Sequence, residues 1–425
     1  MSTITTNSAT IAPRHAPHLR WNATVLGADM AIFSIGVAFA SRETLIPAFA
    51  ERLGAPNILI GAIPALMTLG WMLPGLLAAN HAEGLPRKLP FIVKYTTLER
   101  ISYPLLGLAG IFLAPNYPEL TIWVLLALLL LMSGAGGWLM PAWLDLIGKL
   151  IPVNLRGRFF AYSTSAASLL GLLGAGGLSW LLSNYGFPLG YAYCFLAGSV
   201  FLWISFAFLA IAREEPSIVL TERPTMSSYL RRLPSIVSAN PNLRRFLICR
   251  ALMTTGQMAT GFYSVYALRD LGVADVQIGI YTTILLASQT VGTLIFGWVA
   301  DHRGHVLVLS IGALASCLGS AAAMAGSVTG FVEPSFAFMG LGIAATNVSA
   351  LAVGMEFGPE TERPTYVAIS NGAIAPFAFI SPLIGGLIAD FFGFTLLFAV
   401  ATGIALVGTV MMTMGVRDPR RLQVH

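Results

Sequence analysis

From Trp21 to Val416 the chain is a succession of apolar runs, each long enough to cross a bilayer, which takes roughly 20 residues of helix. Twelve such runs are distinguished: 22–48, 57–79, 90–114, 119–149, 157–183, 188–212, 245–269, 275–300, 304–326, 331–357, 363–391 and 393–416. The breaks carry Pro, Gly, Asn or charge, as in Asn116-Tyr117-Pro118 and Asn184-Tyr185-Gly186. In hydrocarbon every backbone N–H and C=O must be paired within the chain, so runs of this length specify helices. The expected fold is an all-α polytopic membrane protein with twelve transmembrane helices. Composition agrees: 56% of the 425 residues are hydrophobic and 10% charged, against about 25% charged in a soluble domain. A soluble enzyme, a nucleic-acid-binding domain and a disordered scaffold are excluded. The cysteines Cys194, Cys249 and Cys317 lie in apolar runs, with no metal-ligand spacing and no disulfide framework.

Charge sets the orientation. On the side of the N-terminus the connecting segments hold nineteen Lys and Arg, and the opposite side holds three, Arg42, Arg52 and Arg269. That asymmetry places both termini in the cytoplasm and requires an even number of spans. Residues 1–20 are polar and read as a disordered cytoplasmic tail with no signal peptide. The longest connection, 213–244, is a cytoplasmic linker that divides a six-helix bundle at 21–212 from a second at 245–417, with 418–425 as a final tail. Within and beyond this linker, Ser228–Leu247 alternates apolar and basic residues and is expected to lie along the membrane surface.

The two bundles repeat one another. At an offset of 218, Leu53-Gly54 falls on Leu271-Gly272 and Ile60-Gly61 on Ile278-Gly279. At an offset of 207, Arg156 falls on Arg363, Ser163 on Ser370 and Gly186-Phe187 on Gly393-Phe394. Two pseudo-symmetric six-helix bundles, repeated in parallel, are a transporter architecture.

The segment Gly297-Trp298-Val299-Ala300-Asp301-His302-Arg303-Gly304 lies between spans 8 and 9. It resembles the loop signature of the major facilitator superfamily, between the second and third helix of a half. The N-terminal counterpart, Gly75 to Lys88, departs from it, with Ala79 where the acid belongs. Asn154 to Arg158, and Arg363 to Pro382, are also similar to bacterial members. The resemblance covers residues 22–416 and implies that spans 1, 4, 7 and 10 line a central cavity. Physically, Asp301 can accept from a helix N-terminus or pair with an Arg, while Gly297 and Gly304 allow a tight loop. With Arg303 they form a candidate latch on the cytoplasmic face.

Polar groups inside spans are candidate functional groups because a charge at mid-bilayer costs at least about 2.5 kcal/mol. In span 1, Asp29 and Glu43 are 14 apart, which returns to within about 40° of one face on a continuous helix. Asp29 is the first candidate for a proton-coupling or cation-binding carboxylate, and Glu43 can instead pair with Arg42. In span 4, Trp138 and Asp145 are seven apart and suit a cationic or ring-bearing solute. Span 7 carries a polar stripe of Arg250, Thr254, Gln257, Gly261 and Ser264, with Tyr263 near its outer end. Arg250 can hold an anion, pair with a carboxylate or snorkel. Asn347 in span 10 completes the cavity candidates. Glu99 and Arg100, inside span 3, are expected to form a structural ion pair.

No phosphate loop, metal cluster or catalytic triad occurs, so the chain is read as no enzyme and as needing no cofactor. The expected function is secondary active transport of a small organic solute in a bacterial inner membrane. Proton-coupled export of an amphipathic or drug-like compound is preferred. A sugar or carboxylate symporter is the alternative, and a non-transporting membrane receptor or accessory protein is the alternative from another class. The expected partners are a small-molecule substrate, a proton or cation and the lipid bilayer, without nucleic acid, and the chain is read as a monomer.

Overall fold

The computed structural model describes residues 18–216, 235–358 and 363–419. The first half holds α1 (Leu19–Phe39), α2 (Leu45–Arg52), α3 (Asn57–Glu83), α4 (Leu89–Phe112), α5 (Pro118–Leu150), α6 (Val153–Asn184) and α7 (Leu189–Ala210). The second holds α8 (Pro241–Gly256), a 3-10 turn (Gln257–Phe262), α9 (Tyr263–Arg269), α10 (Val276–Arg303), α11 (His305–Thr329), α12 (Glu333–Glu356) and α13 (Arg363–Gly415). Among the described residues nine helices are long and apolar enough to span a membrane. One of these, α13, is two passes joined at Gly393, whose φ of 82° and ψ of 170° end one helix and start the next. With the charged α4 and the interrupted unit α8–α9 counted as crossings, the described residues accommodate the expected twelve. Proline at the first turn of α4, α5, α8 and α12 starts helices where no N–H partner is required.

Two expectations are corrected. Span 1 is not one helix: α1 ends at Phe39, and α2 starts after the turn 40–44. Asp29 and Glu43 therefore do not share a continuous helical face. Span 7 breaks likewise, and under the offset of 218 its 3-10 turn falls on the turn of span 1. Because a 3-10 turn advances about 120° per residue, not 100°, Gly261 and Ser264 leave the file of Arg250 and Gln257. Of the surface segment expected over Ser228–Leu247, 228–234 lie outside the described residues and 235–239 form a short helical stretch before Asn240. Its last part, from Pro241, already belongs to α8, which Asn240 caps by accepting from the Leu243 N–H at 3.0 Å.

Each half closes on itself in the same way. The Asn22 amide donates to the Arg213 carbonyl at 2.9 Å and accepts from the Arg213 N–H at 2.9 Å. Asn242 makes the same two bonds with Arg417, at 2.8 and 3.0 Å. The start of the first helix of each half is thus tied to the end of its last, so the described residues nearest the two chain ends lie beside Arg213 and Asn242 respectively.

Apolar packing differs at the two faces. Away from the chain ends one cluster runs across both halves, from Phe49, Tyr191 and Phe195 to Phe262, Tyr263, Phe336 and Phe398. Toward the chain ends it divides. Leu26, Ile92, Leu146 and Phe159 form a core of the first half, and Phe246, Leu309, Val353 and Met412 a core of the second.

Candidate functional site: a cavity sealed at one end

The seal is made where the halves meet away from the chain ends. Here α3 lies against the first helix of α13, and α6 against α10. Gly61 faces the Pro382 carbonyl, Gly386 faces the backbone of Asn57 and Ile58, and Gly279 faces the backbone of Ser179, each with no room for a Cβ. Polar bonds lock this contact. The Asp390 carboxylate accepts from the N–H groups of Asn57 and Ile58, both at 2.9 Å, and so caps the first turn of α3 from the other half. Arg52 donates from Nε to Asp275 at 2.8 Å, and Tyr191 donates to the same carboxylate oxygen at 2.8 Å. Arg269 donates from Nε to Glu51 at 2.8 Å, in a two-pronged pair, and from Nη1 to Asn57 at 3.2 Å. Thr44 and Thr282 share a buried hydrogen bond of 2.6 Å. Burial pushes the carboxyl of the neighbouring Asp270 up from its ordinary value, with Arg269 pulling the other way.

Among the described residues no apolar cluster bridges the two divided cores, and the faces between them are the candidate site. Asn347 is exposed on α12. It occupies the face between Gly340 and Ala344, which pack on α10, and Gly354, which packs on the first helix of α13. On the opposite side of α12, Gly342 and Ala345 lie against α11, so Asn347 looks toward the other half. Gln257 is half-buried and its amide reaches Ser316 of α11 at 3.4 Å. Arg250, on the same file two turns earlier, is 9% exposed, with its Nε enclosed and lacking a hydrogen-bond partner.

Other candidates fall elsewhere. Trp138 packs on Phe91 and Tyr95 of α4 at 6.4 and 6.1 Å between ring centroids, on the side of α5 away from the opposite half. Tyr263 is buried in the shared cluster and bonded to Ser320 at 2.9 Å. Glu43 pairs with Arg42 in the turn before α2. Asp145 is exposed at the face of the chain ends and pairs with Lys88 at 3.2 Å.

Asp29 is 4% exposed and points into its own half. Arg100 of α4 donates to it from Nη2 at 3.4 Å and from Nη1 to the Leu202 carbonyl, while Ser205 of α7 donates to the same carboxylate. The Phe33 and Phe206 rings each lie 5.7 Å from the guanidinium carbon. The expected Glu99–Arg100 pair is therefore replaced. Adjacent helical residues point about 100° apart, so Arg100 turns to α1 and α7 while Glu99 reaches toward Gly136 of α5.

At the face of the chain ends, α10 passes directly into α11 through Gly304, at φ 100° and ψ 155°. Its missing side chain makes room for the Asp418 carboxylate. Asp301 and Arg303 are exposed, and Gly297 has open space beside it. In the first half the equivalent corner is the longer turn 84–88, and Glu214 takes the place of Asp418. Glu214 accepts from the N–H groups of Lys88 and Leu89 at 2.9 and 2.8 Å and from Lys149 at 2.9 Å. Sequence reasoning missed this pair of acids, although Arg213-Glu214 and Arg417-Asp418 close the two halves with the same dipeptide pattern. Glu51, Arg269, Asp275 and Asp390 were missed as well. The offset of 218 that relates Glu51 to Arg269 was the available signal.

The family model described as Major Facilitator Superfamily matches residues 246–424. This stretch, 42% of the chain, is similar to that family. The Multidrug resistance protein MdtL of Klebsiella pneumoniae (strain 342) is 26% identical over 183 residues, 42% of this chain and 46% of that protein. The match thus spans about half the length of that relative. Among solved structures, the nucleoside transporter NupG superposes with a TM-score of 0.71 at 14% identity, over 92% of this chain and 98% of that one. The POT family transporter PepTSo gives 0.72 at 12%, over 97% and 99%. A D-xylose-proton symporter gives 0.67 at 14%, over 95% and 99%. At these identities the likeness is one of fold, and it extends over both halves of the chain.

Proposed function

We propose that the chain is a secondary transporter that carries a small organic solute by alternating access, and that the conformation described is the one open to the cytoplasm. The observation that carries this reading is the one-sided closure: a single apolar cluster and a belt of inter-half bonds at one face, two separate cores at the other. The distribution of Lys and Arg assigns the open face to the cytoplasm. A solute enters between the halves, the seam at the outer face breaks, and a seam at the inner face forms around Gly304 and Asp301.

The coupling group is Asp29. Protonation removes the negative charge that holds Arg100, and so loosens α1 from α4 and α7. Export of an amphipathic, drug-like compound is the preferred direction, supported by the similarity of a 183-residue stretch to a multidrug resistance protein. The test is survival on ethidium of a bacterium stripped of its own efflux pumps, expressing the chain or its Asp29→Asn variant. Resistance with the natural chain, lost in the variant at equal membrane abundance, is expected. Sensitivity of both, with growth on a nucleoside or pentose gained instead, would assign the chain to uptake. Undiminished proton-driven efflux in Asp29→Asn would remove Asp29 from the mechanism.

A further inference from the structure

At the face of the chain ends, a recess of about 420 Å³ opens between the first turns of α1 and α4 and the end of α7. His18, Arg87 and Arg213 line it together with Leu89, Pro90 and Glu215. Arg213 is fixed in place. Its guanidinium carbon lies 5.2 Å from the centroid of Trp21, and its Nη1 is 3.3 Å from His18 Nδ1. The Trp21 indole in turn donates to the Ile211 carbonyl at 3.0 Å. His18 holds a left-handed backbone, φ 69° and ψ 18°, which is uncommon for a residue with a side chain and brings its ring to Arg213. Neither Arg87 nor Arg213 has a carboxylate partner among the described residues. Glu214, at the back of the recess, is spent on the first turn of α4 and on Lys149, and Glu215 is the one acid left facing the opening.

Two exposed apolar files run from this recess along the membrane-facing surface. On α4, exposed Pro90 and Lys94 are followed by Leu98, Ile101, Leu105 and Leu108. On α7, which packs on α4, the exposed file is Val200, Ile204 and Ala207, with Ile211 just past its last turn. Both files follow the three-and-four spacing of one helical face. A cationic recess at the level of an interfacial Trp, heading an apolar groove, matches one kind of molecule in chemistry and in length. We propose that this is a binding site for an anionic glycerophospholipid, with its phosphate between Arg87 and Arg213, Lys94 reaching up from the hydrocarbon edge, and its acyl chains along α4 and α7. The proposal rests on membrane embedding and is independent of the transport reading.

The test uses the full chain, purified in a neutral detergent, with phosphatidylglycerol as probe and phosphatidylcholine of the same chain length as control. Phosphatidylglycerol is expected to raise the thermal unfolding midpoint and phosphatidylcholine to leave it, since a ligand of the folded state stabilises by mass action. Arg87→Gln removes a side chain without an intramolecular carboxylate partner. It is expected to weaken phosphatidylglycerol binding about fivefold, with Arg87→Lys retaining most of the affinity. Arg245→Gln, an exposed change in the second half, is expected to leave it unaltered. Equal stabilisation by both lipids would overturn the proposal, as would unchanged phosphatidylglycerol affinity in Arg87→Gln. Inorganic phosphate acting as well as the lipid would reassign the recess to a free anion and overturn the lipid assignment.

Discussion

Asp29 and Arg100 show how a single pair can be decided by rotation about a helix. Both are nearly enclosed, and each is the other's main compensation for leaving water. Arg100→Leu leaves the carboxylate buried without its cation and is expected to lower stability by about 3–5 kcal/mol. Adding Asp29→Asn in the same chain should recover most of that loss, as measured by chemical unfolding in detergent. Recovery below a third would show that the two residues act separately. Gly304 is a second case. Its φ of 100° and its closeness to Asp418 both exclude a side chain. Gly304→Ala is expected to cost about 1–3 kcal/mol in the same measurement. The Gly-x-x-x-Asp segment made this corner visible in the sequence. Asp418 was not visible, because its role depends on where a tail 114 positions later returns.

At the scale of the elements, the helices were largely legible and their interruptions only in part. Apolar runs bounded by Pro, Asn and Gly located the spans because length and hydropathy alone decide which segments cross hydrocarbon. The break at 40–44 carries Ser41, Arg42, Glu43 and Thr44, a polar interruption visible in the composition, whereas the break at 257–262 has no charge to mark it. The two short helices α2 and α9 pack against each other under the sealed face, where the helices yield. Asp390 likewise reads as a routine interfacial acid until α3 is placed beneath it. Asp390→Asn keeps the side chain's size but removes the charge that caps α3 across the seam. It is expected to raise the reactivity of a cysteine placed at Ser179 toward a membrane-impermeant maleimide added from the outer side, several-fold over the same cysteine in an otherwise natural chain. Equal reactivity would mean that the cap does not hold the face shut.

For the whole molecule, the proposed alternation between two forms would be set by how closely the halves can approach. Gly61 and Gly279 are equivalent in the repeat, and each meets the backbone of the other half. Gly61→Leu is therefore expected to disfavour the described state and to lengthen the distance between spin labels on α3 and α13 at the outer face. An unchanged distance distribution would show that the seam tolerates the bulk. The sequence made both glycines visible as matching positions without revealing that they touch different helices, Pro382 of α13 in one case and Ser179 of α6 in the other. The cavity was the least legible feature. Trp138, Tyr263 and Asp29 are the residue types a solute site uses, but the same types also serve helix packing, and only the direction of each side chain separates the two uses.

The bond between Glu51 and Arg269 joins two positions that the repeat makes equivalent. In an assembly of two identical six-helix units, a residue on the twofold axis meets its own copy. Glu would face Glu, or Arg would face Arg, and the contact would repel. Opposite charges at this place require the two units to differ in sequence, as they can once both are encoded in one chain. The closing bond of the sealed face thus depends on a difference between the halves, and a chain with matching residues at these two positions would open where this one shuts.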